Sequence, residues 1–160
     1  MKKFIIIAAL LLTAINASAQ TGKELYRKYS DSENVSAVYI SPAMFRLIGK
    51  IPDMELGSEN VNLAPIIRSL SGLYILSSDN AKINDHLVSD ANKMIDRGEF
   101  EMLMEAKDNG QVVRMFTAGD EKIVNSFVMI ASEGPEATFI CIDGVINRAD
   151  LEALLAEEMK

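Results

Sequence analysis

The chain has no tryptophan, one cysteine and one histidine in 160 residues, and only 6% of its residues are aromatic. A lone cysteine, Cys141, excludes an intramolecular disulfide. With a lone histidine, His86, a Ser-His-Asp or Cys-His catalytic set must use that residue or not exist. One His and one Cys cannot supply a zinc site of the Cys and His kind either. No segment has the ligand spacing of an EF-hand loop, and acidic residues such as Asp31, Glu33, Glu157 and Glu158 are scattered as on a solvated face. Without tryptophan the aromatic platform common at carbohydrate sites is missing, although paired carboxylates for glycoside hydrolysis are spatial and sequence does not display them. No metal or other cofactor is expected.

Positive charge is also scarce. Sixteen Lys and Arg stand against 23 Asp and Glu, a net charge of −7. Nucleic-acid binding needs a basic stripe that releases counterions, and anionic lipid surfaces need clustered Lys or Arg. Neither is present, so nucleic acid is excluded as a partner.

What the chain does have is a distinctive start. Lys2 and Lys3 precede an apolar run from Phe4 to Ile15, followed by Asn16-Ala17-Ser18-Ala19-Gln20. A basic start, about a dozen apolar residues and small residues at Ala17 and Ala19 form the pattern of a cleavable secretory signal, cut between Ala19 and Gln20. The run falls short of the roughly 20 residues that span a bilayer. Residues 1–19 are therefore expected to be a signal peptide and 20–160 a single domain, with no stable membrane insertion after cleavage. Loss of Lys2 and Lys3 takes the charge from −7 to −9. No cysteine stands directly after the apolar run to accept a lipid, so the expected location is the periplasm.

In the mature part, Thr21-Gly22-Lys23-Glu24 has capping-box form and predicts a short helix to about Ser30. Val35 to Ile40 alternates as a half-buried strand. Ser41-Pro42 opens a helix with Met44, Phe45 and Ile48 on its apolar face. Met54 to Asn62 has no clean period and is expected to be a mobile surface loop. Leu63, Ile66, Ile67 and Leu70 predict another short helix, and Leu73 to Leu76 a strand. The longest helix is predicted over Ala81 to Arg97, its apolar arc formed by Ile83, Leu87, Val88, Ala91, Met94 and Ile95. Phe100, Leu103 and Met104 suggest a further helix to Lys107. After the Asp108-Asn109-Gly110 turn come three strands, Gln111 to Thr117, Lys122 to Ser132 and Ala137 to Ile142, arranged as an antiparallel meander. Asn147 is expected to cap a last helix carrying Leu151, Leu154, Leu155 and Met159. The resulting fold class is α+β, with a single mixed, largely antiparallel five-stranded sheet and helices mainly on one face. The first two strands are expected to be parallel neighbours joined by a helical crossover.

Residues that could carry chemistry are few. His86 and Asp90 lie one turn apart on the long helix and form the only candidate catalytic pair, but no nucleophile motif accompanies them. A surface histidine with an incidental carboxylate neighbour is the stronger reading. Cys141, among Thr138, Phe139, Ile140 and Ile142, reads as a small core residue. Met94, Met102, Met104, Met115 and Met129 suit an adaptable binding surface or a copper(I) thioether site, but their predicted places favour core filling.

The segments Ser36-Ala37-Val38-Tyr39-Ile40-Ser41 and Ser71-Gly72-Leu73-Tyr74-Ile75-Leu76-Ser77 resemble those of the domain of unknown function 4252 family. Phe100 to Met104, Lys107 to Gly110, and Ile142 to Ile146 before Asp150-Leu151 are similar to it as well. The likeness covers nearly all of the mature chain, with Cys141 and Asp143 departing from the usual aliphatic or uncharged residues of the last strand. The family assigns no catalytic residue. The resemblance implies a small exported protein of Bacteroidota-type bacteria, of a group often encoded beside envelope-stress sigma factors and their membrane anti-sigma partners. Together the readings lead us to expect an exported, periplasmic, non-catalytic domain that binds an envelope protein partner or ligand in signalling or stress response. The alternatives are a small carboxylate- or His-dependent hydrolase and a structural or adhesive envelope protein.

Overall fold

The computed structural model describes residues 21–49 and 64–150. Helix α1 (Gly22–Tyr29) begins where the capping box places it: the Thr21 hydroxyl accepts from the Glu24 N–H at 3.3 Å, and the Glu24 carboxylate accepts from the Thr21 N–H at 3.0 Å. Strand β1 (Val35–Ile40) is followed by α2 (Pro42–Ile48), whose N-cap Ser41 accepts from the Met44 N–H. Of its anticipated apolar face only Phe45 is buried, and Met44 is exposed. Then come α3 (Ala64–Ser69), β2 (Leu70–Ser78) and the long α4 (Ala81–Arg97), capped by the Asn80 side chain. Four strands follow: β3 (Phe100–Asp108), β4 (Gln111–Gly119), β5 (Ile123–Glu133) and β6 (Glu136–Asn147). The loop expected over Met54 to Asn62, and the helical face expected from Leu151 to Met159, lie outside the described residues. Asn147 does accept from the Ala149 N–H at 3.0 Å, as a cap at that position should.

The sheet departs from expectation in two ways. It has six strands, in the order β1-β2-β6-β5-β4-β3, and every neighbouring pair is antiparallel. The sixth strand is β3, where a helix was expected. Its Glu, Met, Leu and Ala residues favour a helix intrinsically, but intrinsic preference is a weak prior. Asn109 and Gly110 both adopt positive φ, 46° and 90°, the conformation of a two-residue hairpin turn. Such a turn requires a strand on each side, and it pairs Asp108 with Gln111 and then the whole of β3 with β4.

The second departure is the β1–β2 pair, antiparallel rather than parallel. The chain leaves β1 at Ile40 and re-enters at Leu70, and Ile40 pairs with Leu73. α2 and α3 touch each other beside that end: a Cβ placed on Gly49 would run into Arg68. The helices thus form an excursion at one end of the sheet instead of a crossover over its face.

α1 and α4 cover one face of the sheet. Leu25, Leu87, Ala91 and Met94 from the helices pack on Tyr74, Leu76, Phe116, Val128, Phe139 and Cys141. Fully burying a side chain such as Leu25 or Phe139 is worth about 1.5–3 kcal/mol. The buried side of α4 is rotated from the expected arc: Asn84 and Asp90 are buried, whereas Ile83 and Val88 are only half-buried. Close approach of α1 to the sheet depends on Gly22, where an added Cβ would collide with Cys141 Sγ. Substitution Gly22→Ala should therefore cost about 1–3 kcal/mol by overpacking. Urea unfolding would measure it, and an unchanged midpoint would show that α1 can lift without loss.

Candidate functional site

The Asp90 carboxylate is engaged by partners other than His86. His86 is exposed on α4, while the Asp90 carboxylate, 12% exposed, faces α1. Its Oδ2 accepts from Tyr29 Oη at 2.7 Å and from Lys28 Nζ at 2.5 Å, and its Oδ1 accepts from Lys93 Nζ at 3.2 Å. Burial by itself would raise this carboxyl, but the three donors outweigh it and hold the pKa at about 2. The same geometry pushes the Tyr29 phenol up, through burial first and the Asp90 hydrogen bond and charge second. Among the described residues no hydrogen bond links His86 to Asp90 or to Cys141. Asp90 is a tie between two helices.

Cys141 lies in β6 beneath α1. Burial first, and the Asp143 charge second, push its thiol well above the ordinary range, with the Ser126 hydrogen bond opposing. A thiol held protonated is a poor nucleophile. Its neighbours explain how a carboxylate is accommodated in the strand: Asp143 accepts from Ser126 Oγ at 2.8 Å and from Cys141 Sγ at 3.4 Å. Beside it Tyr74 stacks on its cross-strand partner Tyr39, ring centroids 5.2 Å apart, with Tyr26 at 5.8 Å from Tyr74. Burial first, then nearby Tyr39 and Asp143, raise the Tyr74 phenol to about 12. The Cys141 thiol and the Tyr74 phenol are thus buried and held protonated, which suits support of a fold more than acid-base work.

A more open feature is a cleft of about 600 Å³ between α4 and the β5–β6 turn, lined by Asn84, Asp85, Lys93, Asp96, Ser132 and Glu136. Asn84 is 5% exposed, and its Nδ2 donates to the carbonyls of Ser78 (3.0 Å) and Pro135, tying α4 to both β2 and the turn. Its Oδ1 finds no donor among the described residues. The sequence held a signal for this group, since Asn84, Leu87 and Ala91 recur at helical spacing and place an amide on the buried stripe.

The other open feature is the outer edge of the sheet. β3 is exposed along nearly its whole length, and Met102, Leu103 and Met104 are 52%, 52% and 43% exposed. The methionines expected as core filling thus divide: Met94 is buried, Met115 and Met129 are half-buried, and Met102 and Met104 face solvent. The assignment of β3 to a helix hid this edge from sequence reasoning.

The Asp90 tie yields a pH dependence. Because the folded pKa, about 2, lies below the ordinary 3.8, the tie stabilises the fold above pH 4 and is lost as pH falls through 2. Asp90→Asn should lower stability at pH 7 by about 1–2 kcal/mol, discounted for the exposed lysines, and flatten the loss of stability between pH 4 and 2. Chemical unfolding across that range would reveal it; identical pH profiles for the two proteins would contradict the assignment.

Neither curated proteins nor solved structures give a match to the chain. Residues 29–154, which run from the end of α1 through all six strands, match the family described as Domain of unknown function (DUF4252), and the chain belongs to that family.

Proposed function

We propose that this is an exported, periplasmic, non-catalytic protein of the cell envelope, whose work is to bind a protein partner in signalling or stress response. The observation that carries the reading is the edge strand β3. It ends the sheet with one row of backbone groups unpaired by any described strand, and it exposes three consecutive apolar residues, Met102 to Met104. An open, apolar edge is a template for another strand, and a partner segment that adds there gains main-chain hydrogen bonds and apolar burial together. The mature domain's charge of −9 favours a neutral or basic segment.

The edge also carries charges that limit indiscriminate pairing. Glu105 bonds Lys107 and Arg114, each at 2.7 Å, and those two hydrogen bonds hold its carboxyl below the usual range. Charged side chains on an edge strand oppose edge-to-edge aggregation while leaving a matched partner free to bind. Support for a non-catalytic role comes from the protonated, buried Cys141 and from the engagement of the Asp90 carboxylate by Lys28, Tyr29 and Lys93. The absence of a long apolar helix among the described residues is consistent with a domain released after signal cleavage.

Two measurements test the reading. Protein recovered from the source envelope should begin at Gln20, so an intact Met1 or a start elsewhere would remove the export step. A tagged mature protein should capture a defined partner from the envelope fraction, and Leu103→Lys should abolish that capture while circular dichroism stays unchanged. Capture that survives Leu103→Lys would place the interface elsewhere. Self-association in solution in place of a foreign partner would favour the structural or adhesive role.

A further inference from the structure

Met104, Met115 and Met129 occupy directly paired positions on three consecutive strands: Met104 opposes Met115, and Met115 opposes Met129. Directly opposed residues of antiparallel strands share a face, with Cβ atoms about 4.5–5.5 Å apart. The three thioethers therefore form a row on the face opposite Phe116, Val128 and Cys141. Each sits on a stem flexible enough to lean along the sheet.

Met104 is in line only because β3 is irregular. The register shifts between Met102, which opposes Phe116, and Met104, which opposes Met115. Without that extra residue Met104 would point to the other face, since side chains alternate along a strand. Bulges that re-aim one side chain are over-represented beside functional sites. Of the two rows that flank it on the same face, Glu101, Thr117 and Phe127 lie on one side and Ala106, Val113 and Ala131 on the other, the latter short side chains that leave the outer two thioethers room to turn inward over Met115. Access is open as well: Met104 is 43% exposed and the other two are half-buried.

We propose that this row is a binding site for a soft monovalent cation, copper(I) in particular. Thioether sulfur selects soft d10 ions over calcium, magnesium or divalent copper, and three such ligands suit the low coordination number of copper(I). The nearest oxygen donors on this face, Glu101 and Thr117 in the next row, are hard ligands that copper(I) ranks below thioether sulfur, and the negative charge of the mature domain draws cations toward the site. The proposal stands apart from the partner reading, because it concerns metal affinity and not capture of a protein.

The test is an anaerobic titration of the full mature protein with copper(I) against a chromogenic copper(I) chelator, repeated with silver(I) as a redox-inert probe. One equivalent should bind, and methyl resonances of Met104, Met115 and Met129 should shift while that of Met94 stays in place. Met115→Leu conserves volume and removes the central ligand; it should weaken binding about tenfold or more with unchanged circular dichroism. Met44→Leu, at an exposed methionine outside the row, should bind as the parent does. Failure of the folded protein to compete with the chelator would overturn the proposal. So would undiminished binding by Met115→Leu, or binding lost only in Cys141→Ala, which would assign the ion to the thiol.

Discussion

The rest of the structure depends on the pairing of β2 with β6. These strands are far apart in the chain, and their ladder from Leu73–Ile142 to Ser78–Ala137 joins the β1–β2 pair to the meander of the C-terminal half. It also sets the core, because Tyr74 opposes Cys141 and Leu76 opposes Phe139, and these are the residues on which α1 and α4 rest. A one-residue slip would turn that entire set toward the other face. Ordering so distant a pair carries a loop-closure cost that local contacts do not offset by themselves, so the two helices are needed to bury what the ladder aligns.

Polar groups under the helices give this packing its specificity. Asp90 has a donor from each side, α1 supplying Lys28 and Tyr29 and α4 supplying Lys93, so burying its charge is tolerable. Among the described residues Asn84 is satisfied on its nitrogen alone, and a buried acceptor without a donor costs about 1–3 kcal/mol. The amide nonetheless fixes three elements at once, since α4, the end of β2 and the β5–β6 turn meet on it.

Among the described residues the helices touch mainly β2 and β6, and the outermost strand, β3, is left as the open edge. There the side chains change character: Phe116, Val128 and Ile130 of β4 and β5 are still buried with the core, but the apolar and sulfur-bearing residues of β3 from Met102 onward are exposed. An edge of this composition is a liability in an idle protein and an asset in a binding one. The charged cluster around Glu105 and the bulge at Met102 to Met104 are the kinds of feature by which native edges are kept selective.

Local chemistry made much of the fold legible. Thr21 and Glu24, Ser41 with Pro42, Asn80, and the Asn109-Gly110 turn each act through bonds to backbone a few residues away, so their sequence neighbourhood suffices to place them. Alternation located β1, and helical period located α4 from Ala81 to Arg97. The choice between helix and strand for Phe100 to Asp108, the direction of β1 against β2, and the burial of Asn84 and Asp90 were settled by partners distant in the chain. A strand is stabilised across its edges and not along its length, so β3 is a strand because β4 is beside it. For the same reason the row of Met104, Met115 and Met129 exists only in the folded sheet: sequence determined that the methionines are there, and strand register decided that three of them share one face.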